Sequence, residues 1–384
     1  MPTTCPPRYE DIALNEAAAA WMATAEGLSD YWGNVLARGA APWTVAEDWA
    51  MWWGATTRRR RPSWHTSNAV IFEAPVARLR DFSTTGRRAR VVPTLVLPPQ
   101  AGHDSCVVDF APEQSQMRTI IDAGLTRAYA LDWIGATDAT KDATIDDYLD
   151  VIHRAIEHMG APVNLVGDCQ GGWLATIYAA LRPEQIHTLT IAGAPIDFHA
   201  GEPVIHAAVQ HFAPTGDLAF YRALVAAGDG VFKGEHMLTG FILMKPDNEF
   251  GRQSQLLANI RDRAHVERYR HFEDWFKHTQ DIPGSFYLWI VEALFRDNRL
   301  VRGTLEVGGE NVDLGRISCP VHLLAGETDH ITPPDQVYAL ADAVSTPPEL
   351  VTRRLTSGGH LGLFMGHEAL RDHWPPILAE VARR

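Results

Sequence analysis

Residues 163–182 read VNLVGDCQGGWLATIYAALR, and the fold follows from the change of character at the middle of this stretch. VNLVG (163–167) is a short apolar run of the kind that forms a buried strand, whereas GGWLATIYAALR (171–182) carries apolar residues at helical spacing. Between them, Gly167-Asp168-Cys169-Gln170-Gly171-Gly172 has the form of a nucleophile elbow, G-x-C-x-G, with Cys where Ser is commoner. The flanking glycines have a steric reason, because a side chain in so tight a turn would collide with the neighbouring strand or helix. An isolated cysteine is most often a buried core residue. Background glycine usage, however, makes a chance G-x-C-x-G-G an event on the order of once in a thousand such chains. The strand–turn–helix context lowers that further, so Cys169 is read as a nucleophile. A helix starting here favours a thiolate through its N-terminal dipole and points the Gln170 amide at a developing oxyanion.

Outward from the elbow, strand and helix patterns alternate. VVPTLVLPP (91–99) reads as a strand ended by two prolines, and RAYALDW (127–133) as the next. A helix follows over 145–158, and IHTLTIAG (186–193) is another strand after the elbow helix. The rhythm resumes with CPVHLLAG (319–326) and LVTRRLT (350–356), and a last helix spans 367–383. This βαβαβ order predicts a mostly parallel sheet covered by helices on both faces. Residues 196–300 interrupt it with helix formers and aromatics such as Phe212, Tyr221, Phe272, Trp275 and Trp289, and read as an inserted helical cap. Residues 1–90 read as helical over 11–38 and 44–57 and then irregular or β. Seven of the twelve tryptophans fall within the first 64 residues. They are expected to pack the N-terminal helices; an apolar surface for a partner or polymer granule is the sharper alternative. The expected division is therefore 1–90, a Trp-rich helical region; 91–195 and 301–384, the two parts of the core; and 196–300, the cap.

Composition narrows the function classes. The 384 residues carry a net charge of −13, which argues against a general nucleic-acid binder. The run Arg58-Arg59-Arg60-Arg61 is a local basic patch, read first as a solvated loop. Cys5, Cys106, Cys169 and Cys319 share no close spacing, so neither a zinc site nor a disulfide framework is expected. The N-terminal residues lack a signal-peptide pattern, and no apolar run reaches the ~18 residues of a membrane span. A cytoplasmic protein with reduced thiols is expected.

A cysteine nucleophile needs a base, and in this architecture the order is nucleophile, acid, histidine. GETDHITPP after strand 319–326 places Asp329 at a strand's carboxyl end, and SGGHLG after strand 350–356 places His360 on a glycine-rich loop. His360 is expected to take the thiol proton and Asp329 to hold the imidazole tautomer. The rivals are His330, His367 and His373 for the base, and Glu327 and Asp335 for the acid. The second oxyanion donor is expected after strand 91–99. Pro98 and Pro99 have no N–H, which leaves Gln100 or Ala101.

GDCQGGWLATIYAALRPEQIHTLTIAGAPIDF (167–198) resembles the nucleophile region of polyhydroxyalkanoate synthases, most of all the short class III catalytic subunits. Residues 103–133 and 282–321 are similar to the segments before the elbow and on the return from cap to core in that family. TDHITPP (328–334) and GGHLG (358–362) are similar to its acid and histidine motifs. The resemblance covers roughly residues 90–375 and implies an α/β-hydrolase fold, a mostly parallel sheet with an inserted helical cap. It also implies that Cys169 accepts a 3-hydroxyacyl group from a coenzyme A thioester, which a second hydroxyacyl unit's hydroxyl attacks. No cofactor or metal is implied. A homodimer or second synthase subunit, and a polymer granule surface, are the implied partners.

The sequence departs from the family in three places. EDWFKHTQDIPG (273–284) replaces the W-N-x-D-x-T-N segment of the longer synthases, a segment that class III also lacks. Asp168 stands where an apolar residue is common, and a carboxylate there tends to raise the thiol pKa unless it points away. The Trp-rich N-terminus is longer than class III implies. QAGHDS (100–105) and GDCQGGW also resemble a group of hydrolases related to the synthases. Acyl transfer, hydrolysis by the same residues (thioesterase or intracellular polyester depolymerase), and a catalytically idle granule-coating protein are three readings. The elbow does not separate the first two, because both pass through an acyl-enzyme.

Overall fold

The structure, a computed structural model, describes residues 9–86, 90–201 and 203–384; Cys5 lies outside the described residues. Two compact units emerge, one formed by residues up to Pro62 with Gly234–Thr279, the other by Ser63–Lys233 with Gln280–Arg384. The unit boundaries thus fall at 62/63, 233/234 and 279/280, whereas sequence reading placed them at 90/91, 195/196 and 300/301.

The larger unit is built on an eight-stranded sheet. Its strands are β1 (Ala69–Glu73), β2 (Ala77–Asp81), β3 (Thr94–Leu97), β4 (Ala128–Trp133), β5 (Val163–Asp168), β6 (Ile186–Ala192), β7 (Val321–Gly326) and β8 (Val351–Thr356). Their spatial order is β1-β2-β4-β3-β5-β6-β7-β8. From β4 to β8 every neighbouring pair is parallel, and β1 and β2 add an antiparallel edge. β3, β4, β5 and β7 are buried along their whole length, as strands of a sheet covered on both faces should be. β8, the edge strand at the parallel end of the sheet, is half-buried and carries Arg353 and Arg354.

In chain order the helices are α1 (Tyr9–Ala37), α2 (Pro42–Thr57), α3 (Gln116–Asp122), α4 (Ile145–Met159), α5 (Gln170–Leu181), α6 (Val204–Phe212) and α7 (Ala219–Ala227). They continue with α8 (Gly234–Met244), α9 (Pro246–Ala258), α10 (Arg263–Phe276) and α11 (Gly284–Trp289). α4 begins on a capping box in which the Asp147 side chain accepts from the Thr144 amide, and its apolar face is buried through Tyr148, Leu149, Ile152 and Ile156. α5 is buried on nearly every side, consistent with its lack of a polar face. The last helical stretch begins at residue 367 as expected, runs as a π-helix over Ala369–His373 and continues as an α-helix over Trp374–Ala382, with Pro375 and Pro376 in the first turn of that α-helical part.

The smaller unit consists of α1, α2, α8, α9 and α10. Tyr31 and Val35 of α1 pack on Leu257, and Ala55 of α2 packs with Leu256, Ile260 and Tyr269. Asp48 is fully buried and neutralised by Arg38 and by Arg261, whose Nε donates at 2.6 Å. Trp52 packs into the same clusters and donates to the Gln253 carbonyl at 2.9 Å. The expectation that the N-terminal tryptophans are packing residues holds for Trp52. It fails for Trp21, Trp43 and Trp53, which are 76%, 70% and 65% exposed. Among the described residues no helix is long and apolar enough to cross a membrane.

Candidate active site

Cys169 sits between the end of β5 and the start of α5 with φ 50° and ψ −118°. A non-glycine residue in this region is strained, and such strain persists only where the surroundings over-determine it. Those surroundings are visible. The Cys169 amide donates to the Ala192 carbonyl at 2.8 Å, and its carbonyl accepts from Gly172 at 2.9 Å. A Cβ on Gly171 would lie 2.0 Å from the Leu97 carbonyl oxygen, and one on Gly172 would lie 2.3 Å from the Ala194 Cβ. A Cβ on Gly167 would meet the Gly171 oxygen at 2.5 Å. The three glycines let the first turn of α5 press between the ends of β3, β5 and β6, which turns Cys169 into the bend.

Asp329 follows β7 and is held by its own turn, its Oδ1 accepting from the Ile331 and Thr332 amides at 2.9 Å each. His360 follows β8. Gly326 brings the two loops together, since a Cβ there would lie 2.4 Å from the Gly358 oxygen. As a result the His360 Nδ1 lies 2.7 Å from Asp329 Oδ2, with both residues buried. Nδ1–H donates to the carboxylate, which leaves Nε2 for the thiol, and the Cys169 sulfur is close enough to act on the ring electrostatically. Burial opposes the charged imidazole, but the Asp329 carboxylate and the Cys169 sulfur outweigh it and hold His360 well above the ordinary histidine range. An edge-on Phe364 ring at 5.4 Å braces the imidazole.

The structure therefore brings Cys169, His360 and Asp329 together. It leaves their rivals elsewhere: Glu327, Asp335 and His367 are exposed, and His373 pairs with Glu368 at 3.4 Å. Gln170 opens α5, so its amide has no acceptor within the helix. Gln100 and Ala101 follow β3, whose last carbonyls lie against Gly171. The Gln100 side chain is directed away into a hydrogen bond with the Tyr148 hydroxyl at 3.1 Å, and the Ala101 carbonyl is engaged by the His103 ring. Among the described residues no group of three or more His, Cys, Asp or Glu is placed to hold a metal ion.

The sequence singles out Asp168, but its partner, Gln116 of α3, escaped sequence reading. Asp168, next to the nucleophile, is fully buried and faces Gln116 of α3, whose Nε2 donates to its Oδ1 at 3.2 Å. The signal for Asp168 was the one charge in its strand; Gln116, 52 positions earlier, had none.

A parallel sheet in this strand order, with Cys169 in the turn after β5, an acid after β7 and a histidine after β8, defines an α/β-hydrolase fold. The chain belongs to the family described as "Protein of unknown function (DUF3141)", whose model matches residues 76–375. It is also similar to poly(3-hydroxyalkanoate) polymerase subunits PhaC. The one from Haloferax mediterranei is 27% identical over 83% of this chain and 64% of its own length, so less than two thirds of that relative is spanned. The one from Allochromatium vinosum is 27% identical over 71% of this chain and 75% of its own. A carboxylesterase structure from the thaumarchaeon Nitrososphaera gargenis superposes with a TM-score of 0.48 at 15% identity, covering 83% of this chain and 99% of that one.

Proposed function

We propose that this chain is a cysteine-dependent acyltransferase that takes a 3-hydroxyacyl group from coenzyme A onto Cys169 and passes it to a hydroxyl. The observation that carries the reading is the buried relay from Asp329 through His360 to a strained Cys169. His360, held in its charged form, pairs with the thiolate. Sγ attacks the thioester carbonyl, and the oxyanion is met by the Gln170 amide and by that of Gln100 or Ala101. When the carbonyl reforms, the C–S bond to coenzyme A breaks and the departing thiolate takes the imidazolium proton. The now neutral Nε2 accepts the proton of an incoming hydroxyl, whose oxygen attacks the acyl-Cys169 and returns the sulfur as leaving group. Asp329 holds the ring and stabilises its charged form throughout. The resemblance of the chain to polymerase subunits supports a hydroxyacyl donor and a second subunit as partner.

The test is incubation with 3-hydroxybutyryl-CoA, following thiol release and separating polymer from free acid. Thiol release with oligomeric or polymeric ester is expected, and Cys169→Ala should lower it by about a thousandfold or more. Free acid as the product would assign a thioesterase instead. Unchanged turnover in Cys169→Ala would remove the nucleophile assignment.

A further inference from the structure

The side chain beside the nucleophile has an unusual balance of donors and acceptors. Asp168 ends β5 in register with Ala192 of β6, and no part of it reaches solvent. Its Oδ1 accepts from Gln116 Nε2 at 3.2 Å, while its Oδ2 receives a hydrogen bond from no described donor. Gln116 is equally buried, and its Oε1 is unpartnered as well. Two adjoining side chains thus hold one satisfied donor–acceptor contact and two orphaned acceptors. Each orphan carries the desolvation cost of an unpaired buried polar atom as long as both are acceptors only. A single proton on Asp168 Oδ2 changes the count, because the carboxyl then donates to Gln116 Oε1 while still accepting from Nε2.

We propose that Asp168 is a neutral carboxylic acid in the working protein, locked to Gln116 in a two-point acid–amide pair, and that it acts as a positioning residue keeping the elbow beside Cys169 rigid and free of negative charge. The inference rests on the thioester chemistry assigned to Cys169 for its consequence, but not for its geometry. The groups around Asp168 agree with it. β6 presents Ala192, and α3 presents Gln116; Ser115, just before it, is committed to Asp109 at 2.6 Å. Among the described residues, the charged side chain that acts on Asp168 is His360, which favours its ionised form but is itself engaged by Asp329 and Cys169. Burial dominates and pushes the Asp168 carboxyl up to about 8, against the hydrogen bond from Gln116 and the charge of His360.

Chemically, a carboxylate at this position would stand beside both the thiolate and the oxyanion that forms on the substrate carbonyl, and would raise the energy of each. A protonated acid does neither, and it accounts for an acidic residue type at a fully buried position. The ionisation of Asp168 at alkaline pH should then suppress nucleophilic chemistry at Cys169, and an amide in its place should not.

The direct test is the infrared difference spectrum of wild type against Asp168→Asn at neutral pH. The expected result is loss of a protonated-carboxyl C=O band; loss of a carboxylate band pair would overturn the proposal. Gln116→Leu is the second variant and should shift that C=O band to higher frequency by removing its hydrogen-bonded partner. An unmoved band would refute the pair. The consequence is read by alkylation of Cys169 with iodoacetamide. The rate ratio of Asp168→Asn to wild type should rise as pH passes through the Asp168 transition and then level off. A ratio independent of pH would mean that Asp168 does not act on the nucleophile. If Cys169 alkylates no faster than Cys319 in either protein, the failure belongs to the acyltransferase reading, and the infrared result stands apart from it.

Discussion

Cys169 carries its strain because its neighbours leave it no alternative conformation. The cost of such a backbone is on the order of 1–3 kcal/mol, and it is offset by packing that only glycine permits at 167, 171 and 172. Gly171→Ala should therefore destabilise the protein by roughly 2 kcal/mol or more, since its Cβ would overlap the Leu97 carbonyl, and urea denaturation would read the shift. Gly33→Ala has open space around it and sits in an exposed part of α1, so it should be neutral or slightly stabilising under the same measurement. The charge on His360 is supported by the Asp329 carboxylate and by the Cys169 sulfur. In Cys169→Ala one support is removed, and the imidazole should titrate at a lower pH than in wild type when followed by NMR. A titration unmoved by that substitution would mean that the sulfur does not face the ring.

At the scale of elements, α1 and α2 separate the aromatic residues that hold from those that do not. The outward face of α1 carries Leu14, Trp21 and Leu36, and that of α2 carries Trp43 and Trp53, all strongly exposed. Their truncation should change the stability of the smaller unit by no more than ~0.5 kcal/mol. Leu257→Ala, by contrast, empties the cluster with Tyr31 and Val35 and should cost about 2–4 kcal/mol. The comparison needs only chemical denaturation of the Trp21→Ala, Trp53→Ala and Leu257→Ala proteins. Elements with strong local patterns were legible from sequence to within a few residues, as β5 and α5 show. β1 and β2 were not, because AVIFE and ARLRD are short and the second carries its charges in pairs with Glu73 and Asp132. The grouping of residues 234–279 with the N-terminal helices was illegible for a different reason. It depends on Leu256 and Leu257 meeting side chains some 200 positions away, and helical periodicity records that a face is apolar without recording what covers it.

For the whole molecule, the two shifted groups of the site make stability depend on pH in one direction. Asp168 and His360 both bind a proton more tightly folded than unfolded. Their contribution is complete below the unfolded-state values, about 3.9 for Asp and 6.5 for His, and is lost as pH rises through the folded ones. For Asp168 the window runs from about 4 up to about 8. The melting temperature of Asp168→Asn should consequently gain on wild type as pH rises through that window and level off above it. A difference that shrinks with pH would contradict a raised carboxyl. What the sequence by itself determined was the local chemistry: a cysteine in a glycine-bounded turn, a later acid and a last histidine, each after a strand, because steric and periodic rules act over a few residues. Only the tertiary structure decided that Asp329 and His360 meet at 2.7 Å, that Gln116 closes over Asp168, and that a stretch read as one insertion is shared between two units. Those outcomes depend on which surfaces are buried together, and burial belongs to the packed molecule rather than to any segment of its chain.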